Sequence, residues 1–598
     1  MKRKLNFKCY LAGSVSLLTF IVYLASLHNE FVNWDDDVYI LDNPHIRSIN
    51  IAFFKWAFFD FYASNWHPLT WITHALDYAA WGLNPLGHHL TNIILHSLNT
   101  FVVVLLIIGL IEALKERIVA NEISLFHDER TILIVGGITG ILFGLHPLHV
   151  ESVAWIAERK DLLCALFFLL SITAYTKYVG NLNNNVVQKP TLVFSNKHYL
   201  LSLAFFVLAL LSKPMAVSLP LVLLILDRYP FKRIESLKTF QSMLAEKLPF
   251  IVFSLVSAIL TVLAQKSGGA MGLTESMPFA ARISVAANSL VAYLWKMILP
   301  LTLIPFYPYP RNVSPLSLAN LLSIFIVTGI TVICSVYAKR HKLWLSLWGY
   351  YVVTLLPVLG MVQVGRQSMA DRYTYLPSLG PFLIIGLVAA WGLVKTNRLK
   401  RGKLIVKLLG TSMAIFVVVS MTYLTFKQIG IWKDSISLWS YVIDKRTDFS
   451  IAYNNRGNAF AKMGSFDKAI ADYDEAIALN RSYYDAYNNR GVAFAKLDQI
   501  EKAIAEFDKA IALNPSDYRA YGNRGLAFDS MGEFDKAIAD FDKAIALNQN
   551  DANSLVNRGL VHLKVRQVGL AISDFRKACD LGNNFGCNAL GYPVKNGS

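Results

Sequence analysis

Three consecutive carboxylates follow directly after the first apolar segment of this 598-residue chain, at Asp35, Asp36 and Asp37. Adjacent carboxylates repel one another, so one of them should have a raised pKa unless a cation lies nearby. Such a group can act as a general base and remove a proton from a hydroxyl. A solvated acidic cap on the first helix is the alternative, and spacing alone does not separate the two.

A second acidic set follows the third apolar segment. Glu151 comes after His-Pro-Leu-His-Val, and Asp161 closes the run Glu158-Arg159-Lys160-Asp161. If the intervening segments span a bilayer, this set reaches the same membrane face as Asp35. The structural alternative is an ordinary ion-pair turn between two helices.

Cationic and phenolic side chains late in the chain match the needs of a lipid phosphate. Arg366, Arg372 and Tyr375 precede another apolar segment. A guanidinium group grips phosphate oxygens in a fork, and a phenol adds a hydrogen bond at headgroup depth. Interfacial anchoring explains the tyrosine equally well but explains the two arginines less well.

Imidazoles suggest either a metal or a contact between helices. His89, Asn92 and His96 fall on one face of the second apolar segment. A divalent cation held by His89 with Asp35 or Asp36 is one interpretation, because such ligands suit divalent ions. Hydrogen bonding between helices is the commoner reason for a polar stripe in a membrane.

The composition indicates an integral membrane protein. Hydrophobic residues make up 54% of the chain and charged residues 16%, whereas soluble domains carry about 25%. Eleven predicted spans lie near 10–27, 90–111, 131–147, 162–179, 198–212, 215–227, 248–265, 317–338, 343–360, 379–395 and 404–424. The net charge of +16 resides in short basic clusters beside these spans, which favours membrane orientation over nucleic-acid binding.

The basic clusters also predict the topology. With a retained N-terminal anchor and Lys2 inside, eleven spans place the later clusters inside as well. Counting 284–306 as a twelfth span would put two of them outside. That stretch is therefore predicted to be a re-entrant or interfacial helix pair, and everything after residue 445 is predicted to lie outside the cytoplasm.

A repeat begins after residue 445. Asn-Arg-Gly recurs at Arg456, Arg490, Arg524 and Arg558, a period of 34 residues with small residues at fixed positions. This is the tetratricopeptide (TPR) signature. The sequence thus predicts an all-α fold with a membrane helix bundle over 1–445 and a TPR solenoid over 446–598, with repeats near 450–483, 484–517, 518–551 and 552–585.

The repeats are predicted to bind a protein or peptide, with a rigid spacer as the alternative. The predicted surface residues are Asn454, Asn455, Asn488, Asn489 and Asn523. Cys579 and Cys587 either pair in an oxidising compartment or remain free thiols.

Taken together, these segments resemble the polytopic GT-C glycosyltransferases, most of all the TPR-bearing branch of transmembrane O-mannosyltransferases that target cadherins, and their bacterial relatives. The resemblance follows Phe-Val-Asn-Trp-Asp-Asp, His-Pro-Leu-Thr, His-His-Leu-Thr-Asn, His-Pro-Leu-His-Val-Glu and Arg-Tyr-Thr-Tyr-Leu-Pro-Ser in order, and then the repeats. It implies an inverting transferase that moves a sugar, such as mannose, from a polyprenyl-phosphate donor to a protein hydroxyl.

The resemblance also implies roles for the residues. A catalytic aspartate in the first outside loop corresponds to Asp35 or Asp36, and Asp37 leaves the choice open. Glu151 and Asp161 would help to position the acceptor or a divalent cation, whose candidate ligands are Asp36 and His89. Arg372, Arg366 and Tyr375 would hold the donor phosphate.

Two rival functions are a non-catalytic membrane scaffold for protein interactions and a transporter of lipid-linked glycans. The transporter would need a continuous polar path, of which only the His89 stripe is visible. No retention signal for the endoplasmic reticulum occurs at 594–598. A bacterial inner membrane with periplasmic repeats is therefore the favoured location.

Overall fold

The computed structural model describes residues 2–117, 128–182, 195–267, 278–309, 316–360, 367–397 and 402–591. Arg366, the segment 398–401 with its three basic residues, and residues 592–598 lie outside these ranges. The chain forms two compact units, Met1–Asp434 and Ser435–Ser598. The second unit begins before the expected residue 446, because helix Ser435–Lys445 packs against the first repeat helix.

The described part of the first unit is built mainly from helices. In chain order they are α1 Lys2–Tyr23, α2 Ile51–Phe59, α3 Pro68–Trp81, α4 Pro85–Arg117, α5 Glu129–Leu145, α6 Val150–Ala154, α7 Arg159–Gly180, α8 Lys197–Ser212, α9 Leu219–Arg228, α10 Leu237–Glu246, α11 Leu248–Ser267, α12 Phe279–Ile298, α13 Leu318–Tyr337, α14 Lys342–Leu355, α15 Leu379–Asn397 and α16 Lys403–Ile431. A two-stranded antiparallel ribbon pairs β1, Tyr307–Pro308, with β2, Gln367–Met369. Helices dominate because a bilayer offers backbone groups no water to bond with.

A helix occupies each of the eleven predicted spans. Among the described residues, seven segments are long and apolar enough to cross a membrane, and the bent pair of α5 with Pro147–Ala154 makes an eighth. The remaining predicted spans correspond to the shorter helices α8, α9 and α14. The run Ser212-Lys213-Pro214 separates α8 from α9, because proline cannot continue the hydrogen bonding of a helix.

The stretch 284–306 differs from the expected helix pair. It contains the C-terminal part of one helix, α12, followed by a non-helical segment from Leu299. Pro300 and Pro305 prevent a second helix. Asn288 of α12 is hydrogen-bonded to Asn320 near the start of α13, and Lys296 bonds to the Thr302 carbonyl at 2.6 Å.

One end of the first unit gathers the connections that carry the candidate site residues. The Trp155 indole donates to the Trp34 carbonyl at 2.8 Å, and the His146 ring bonds to the Met297 carbonyl at 3.1 Å. The Gln265 amide donates to the Ser64 carbonyl at 2.9 Å. This end is called the site end below.

Close packing of α1, α4 and α5 holds the site end in place. A Cβ atom added at Gly140 would lie 2.2 Å from Val104, and one added at Gly144 would lie 2.1 Å from the Thr19 hydroxyl. Small residues at this spacing let membrane helices approach closely. The acidic turn that follows α1 is thereby brought beside the turn that follows α5.

The second unit is an array of antiparallel helix pairs. Its helices are α17 Ser435–Lys445, α18 Ser450–Lys462, α19 Phe466–Leu479, α20 Tyr484–Lys496, α21 Ile500–Leu513, α22 Tyr518–Ser530, α23 Phe534–Leu547, α24 Ala552–Lys564, α25 Val568–Asp580 and α26 Asn584–Ala589. The repeat arginines clamp neighbouring pairs together. Arg524 bonds to Asp540 in its own repeat at 2.7 Å and to Asp508 in the preceding one at 2.6 Å.

The repeat asparagines are less open than expected. Asn454 and Asn488 are buried, which corrects their placement on the surface. Asn489 donates to Asn454 at 3.1 Å, and Asn523 donates to Asn488 at 3.0 Å. The asparagines therefore join successive repeats, and Asn455, Asn489 and Asn523 remain partly accessible. Of the two alternatives for the cysteines, the structure has the Cys579–Cys587 disulfide.

Candidate active site

The Asp36 carboxylate links two loops at the site end. Its Oδ1 accepts the Ala157 N–H at 2.8 Å, and its Oδ2 accepts the Val32 N–H at 3.0 Å. The side chain is only 1% exposed. Burial raises the pKa of Asp36 to about 8, although the two backbone hydrogen bonds act in the opposite direction. Asp36 therefore positions the loop around its neighbour.

Asp35 has the opposite environment. Its backbone adopts a positive φ of 64°, which aspartate tolerates better than most residues, and the residue as a whole is exposed. Desolvation by the surrounding protein raises the pKa of Asp35, while Lys160 and Arg372 act to lower it. Asp35 is therefore accessible although protein surrounds it closely, as expected for a carboxylate at the floor of a cleft.

Arg372 connects the late loop to two of the three acids of the second loop, Glu151 and Glu158. Its guanidinium bonds to the Glu151 carboxylate, and its Nε lies 3.2 Å from the Glu158 carboxylate. The backbone N–H of Arg372 also donates to the Glu151 carboxylate at 3.2 Å. Burial alone would lower the pKa of Arg372, but Glu158 and Glu151 raise it well above its ordinary value. Arg372 is therefore a permanent cation within electrostatic range of Asp35.

Glu158 is the centre of this ionic cluster. The Lys160 and Lys213 ammonium groups lie 3.2 Å and 3.1 Å from its carboxylate, in addition to Arg372. Lys213 also binds Asp161 at 2.6 Å. The site end thus contains a buried ionic cluster, defined as Glu151, Glu158, Asp161, Lys160, Lys213 and Arg372.

The loop that carries Arg372 is held by the β1–β2 ribbon and by Asp371. The Tyr307 hydroxyl donates to the Asp371 carboxylate at 3.0 Å, and Lys296 lies 3.8 Å from the same group. Burial raises the pKa of Asp371 to about 6. The peptide that follows Asp371 is therefore fixed where it meets Glu151.

Arg159 fixes the first loop against α4 and α7. Its guanidinium is fully buried and binds Asp77 at 2.5 Å and the Asn92 side chain at 2.8 Å. It also donates to the His88 carbonyl at 2.9 Å. Because α3 carries Asp77 and α7 carries Arg159, this contact ties the first loop to the helix that carries Lys160 and Asp161.

Tyr375 belongs to another network. Its hydroxyl pairs with His96 Nδ1 at 2.7 Å and accepts from Asn99 at 3.1 Å, inside the helix bundle. His96 and Asn92 of the polar stripe on α4 therefore serve contacts between helices, as one of the two interpretations predicted. His89 and Asn92 are buried, and Asn92 also bonds to Arg159.

A metal centre finds no support among the described residues. They contain no group of three or more His, Cys, Asp or Glu side chains placed to hold a metal ion. Both Asp36 oxygens already accept backbone N–H groups. The donor set expected from Asp36 and His89 therefore does not fit a divalent cation.

The structure thus brings together Asp35, Glu151, Asp161 and Arg372. Asp36 supports this arrangement through its hydrogen bonds to the backbone of Ala157 and Val32. Sequence reasoning did not name Glu158 or Lys160 as site residues. Their adjacency in Glu158-Arg159-Lys160-Asp161 suggested an ion-pair turn. The sequence did contain a signal for these residues: charges are concentrated at the end of an otherwise apolar helix. An unpaired charge at that position would be energetically costly, so such charges are expected to have a function.

An apolar cavity lies in the membrane unit between α4, α9, α14 and α15. Its walls include Leu106, Ile107, Leu347, Leu383 and Leu387, and Gly380 and Tyr350 line it as well. The Tyr350 hydroxyl donates to the Leu376 carbonyl at 2.9 Å, four residues after Arg372. One lining residue of the cavity, Tyr350, is therefore bonded to the loop that carries Arg372.

These features define an α-helical membrane protein with a TPR array and an ionic cluster around an accessible carboxylate. The family model described as TPR repeat matches residues 457–498, and the tetratricopeptide repeat model matches 484–517 and 518–551. A crystal structure of MamA is 27% identical, with a TM-score of 0.23, over 25% of this chain and 86% of that chain.

One relative extends over the membrane unit as well. The protein O-mannosyl-transferase TMTC1 of Homo sapiens is 25% identical over 525 residues, 78% of this chain and 55% of that protein. The human protein O-mannosyl-transferase TMTC4 is 31% identical over 189 residues, 30% of this chain and 24% of that protein. The chain thus spans about half the length of the first of these relatives. It is similar to TPR-bearing O-mannosyl-transferases, as the sequence motifs indicated.

Proposed function

We propose that this protein is a membrane glycosyltransferase. It transfers a sugar, mannose by analogy with the relatives' names, from a polyprenyl-phosphate donor to a hydroxyl of a protein that the repeats recruit. The observation that carries the proposal is the carboxylate of the exposed residue Asp35, held within electrostatic range of Arg372 and Lys160. The similarity to O-mannosyl-transferases over 78% of the chain supports the same reaction.

In the proposed reaction, Asp35 accepts the proton of the acceptor hydroxyl. The hydroxyl oxygen forms a bond to the anomeric carbon while the bond from that carbon to the phosphate oxygen breaks. The phosphate leaves with the bonding electrons, and the sugar inverts its configuration. Arg372 stabilises the negative charge that grows on the phosphate, an effect that is large where water is excluded.

The remaining groups have supporting roles in the proposal. Glu151 and Glu158 hold Arg372 in place, and Asp161 holds Lys213. Desolvation raises the pKa of Asp35, which makes it a stronger base than a solvated carboxylate. The apolar cavity beside Tyr350 suits the hydrocarbon chain of a lipid donor.

The test uses membranes that contain the full chain and a labelled polyprenyl-phosphate mannose. We expect label to enter protein with the wild type and with Asp37→Asn, and transfer to fall by about 10²–10⁴-fold with Asp35→Asn. Full transfer by Asp35→Asn would exclude Asp35 as the base. If cells with the Asp35→Asn variant also have a normal phenotype, while cells in which the repeats are deleted do not, the protein functions as a membrane scaffold.

A further inference from the structure

We propose that Trp432, which directly follows α16, is a positioning residue for the loop that carries Asp35. It acts through Trp155 and holds that loop and Arg372 in the arrangement that transfer requires. The inference deepens the proposed function and rests on it only for the reaction that the arrangement serves. It also makes the site depend on the segment from which the second unit extends, because that unit begins at Ser435.

The last membrane helix is buried against the rest of the first unit near its C-terminal end. Residues 403–416 of α16 are exposed, as expected for a helix that faces lipid. Trp432 is only 1% exposed. The buried residues of the helix itself lie in its last two turns and are Thr425, Gln428, Ile429 and Ile431. The C-terminal end is therefore the part of α16 that packs against the unit.

This end of α16 is hydrogen-bonded to the turn after α1. The Lys433 carbonyl accepts the Glu30 N–H at 2.7 Å, and the Ile429 carbonyl accepts the side-chain amide of Asn29 at 3.2 Å. Asn29 and Glu30 stand shortly before Asp35 in the chain. The beginning of the acid loop is therefore fixed to the residues that lead into the second unit.

The same end of α16 is bonded to the turn after α5. The Thr425 hydroxyl donates to the Leu145 carbonyl at 2.7 Å. Leu145 is the last residue of α5, and the chain continues from it to Glu151 and Trp155. The end of α16 therefore contacts both turns that bring acids to the candidate site.

Trp155 connects Trp432 with the charged groups of the site. The two indoles are stacked, with ring centres 5.4 Å apart and planes 19° from parallel. The Trp155 N–H donates to the Trp34 carbonyl at 2.8 Å, next to Asp35. The guanidinium carbon of Arg372 lies 5.1 Å from the centre of the Trp155 ring, within the range of a cation–π contact. One buried indole thus contacts Trp432, the acid loop and the cation.

Trp432 is held by its ring and not by its N–H group. Its Nε1 has no hydrogen-bond partner among the described residues, although the atom is buried. A buried donor without a partner is destabilising, and a phenyl ring at the same position would have none. The contribution of Trp432 is therefore its stacking surface, which phenylalanine should largely supply.

Loss of the stack would shift the acid loop without removing any group that reacts. Asp35 and Arg372 keep their chemistry in the proposed reaction, but a displacement of about 1 Å can lower a rate by about 10²-fold. Neither Trp432 nor Trp155 lines the apolar cavity that suits the donor lipid. The change should therefore affect kcat more than the KM for the donor.

The experiment first measures amide hydrogen exchange in the full chain in detergent, without any donor. Trp432→Ala removes the stack, and Trp432→Phe keeps an aromatic ring. Phe416→Ala removes an exposed aromatic side chain from the same helix and is the control. Exchange is compared between residues 28–38 and the reference segment 229–246, which contacts the far end of α7 through Tyr175.

We expect exchange in 28–38 to be about tenfold faster or more in Trp432→Ala, with 229–246 unchanged, because the opening is local. Trp432→Phe and Phe416→Ala should behave like the wild type. Trp155→Phe keeps a ring but removes the donor to Trp34, and it should also accelerate exchange in 28–38 if Trp432→Ala does not fold. Unchanged exchange in 28–38, or equal acceleration of both segments, would overturn the proposal.

The transfer assay then tests the consequence for the reaction. Per folded molecule, Trp432→Ala should lower kcat about tenfold or more with a smaller change in donor KM, and Trp432→Phe should restore most of it. A wild-type kcat in Trp432→Ala would overturn the positioning role even if exchange is faster. A wild type that transfers no sugar would refute the proposed function, whereas the exchange measurement would still decide whether Trp432 holds the loop.

Discussion

The Asp36 carboxylate lies 2.8 Å from the backbone nitrogen of Ala157, a hydrogen bond between residues 121 positions apart in the sequence. This bond holds the turn after α1 against the turn before α7. Of the two acids that the sequence alone did not distinguish, Asp36 is engaged by this bond and Asp35 is left accessible. A positioning acid and an accessible acid therefore stand next to each other in the chain.

Substitution should separate the two aspartates. In Asp36→Asn an amide NH₂ group meets one of the two backbone N–H donors, so a buried hydrogen bond is lost at a cost of about 1–3 kcal/mol. Asp35→Asn should change the free energy of unfolding by less than about 0.5 kcal/mol, because the residue is exposed. Chemical unfolding of the detergent-solubilised variants checks both values. Equal destabilisation would contradict the division of roles.

The stability of the protein should depend on the protonation of Asp36. Its pKa is about 8 in the folded protein, whereas in the unfolded chain it is about 4. Between these pH values the folded state binds more protons, so the free energy of unfolding contributed by Asp36 falls as pH rises and stops falling above the folded pKa.

Comparison with Asp36→Asn isolates this contribution. Unfolding temperatures measured from about pH 5 to about pH 8 should decline more steeply in the wild type than in Asp36→Asn, which cannot titrate. Parallel declines in the two proteins would show that other groups cause the pH dependence. Asp371→Asn removes another buried carboxyl, whose pKa is about 6, and shows how much that group contributes to the pH dependence.

Arg159 should be among the most sensitive positions of the membrane unit. Arg159→Ala leaves the buried Asp77 carboxylate without its cation, which typically costs about 3–5 kcal/mol. The exposed pair of Arg446 with Asp448 provides a control, and Arg446→Ala should cost less than about 1 kcal/mol. The yield of folded protein and its unfolding temperature measure both. Comparable losses in the two variants would contradict the structural role of the buried pair of Arg159 with Asp77.

The sequence predicted the elements far better than it predicted the site. Apolar runs and the 34-residue period depend on local patterns, and a helix occupies each predicted span. The interaction of Asp35 with Arg372 depends on residues hundreds of positions apart. No local pattern shows that Asp36 faces Ala157, or that Trp155 stacks on Trp432.

Two further differences between the sequence-based prediction and the structure also arise from contacts between residues that are distant in the sequence. Tyr375 matched the chemistry of a phosphate ligand, but the direction of its side chain is determined by the turn that precedes α15, and its hydroxyl meets His96. Asn454 and Asn488 recur with the period of a binding surface. They are buried because each is bonded by an asparagine of the following repeat.

The repeat glycines should be intolerant of a methyl group. A Cβ atom at Gly491 would lie 2.6 Å from the Phe507 ring, so Gly491→Ala must displace a buried aromatic side chain. We expect a loss of about 1–3 kcal/mol and faster hydrogen exchange in α20 and α21 of the full chain. Gly569→Ala is the matched control, because nothing lies within 4 Å of its Cβ position. Faster exchange in both variants would contradict the packing argument.

The Cys579–Cys587 pair makes the predicted location of the repeats testable. The disulfide joins α25 to α26, and such bonds persist in oxidising compartments and are rare in the cytosol. If the repeats are outside the cytoplasm, a thiol reagent added to denatured protein should label these cysteines only after reduction. Labelling of Cys164 in the same protein, which is a free thiol, shows that the reagent works.

The Cys579→Ser and Cys587→Ser double variant completes this test. Without the bond, α26 should be cleaved faster by protease, because a short terminal helix has little packing of its own to hold it. The membrane unit should be unaffected, since the change lies in the other compact unit. Labelling of the wild-type pair without reduction would place the repeats in a reducing compartment. It would also reverse the predicted topology, because the repeats and the loop of Asp35 are predicted on one membrane face.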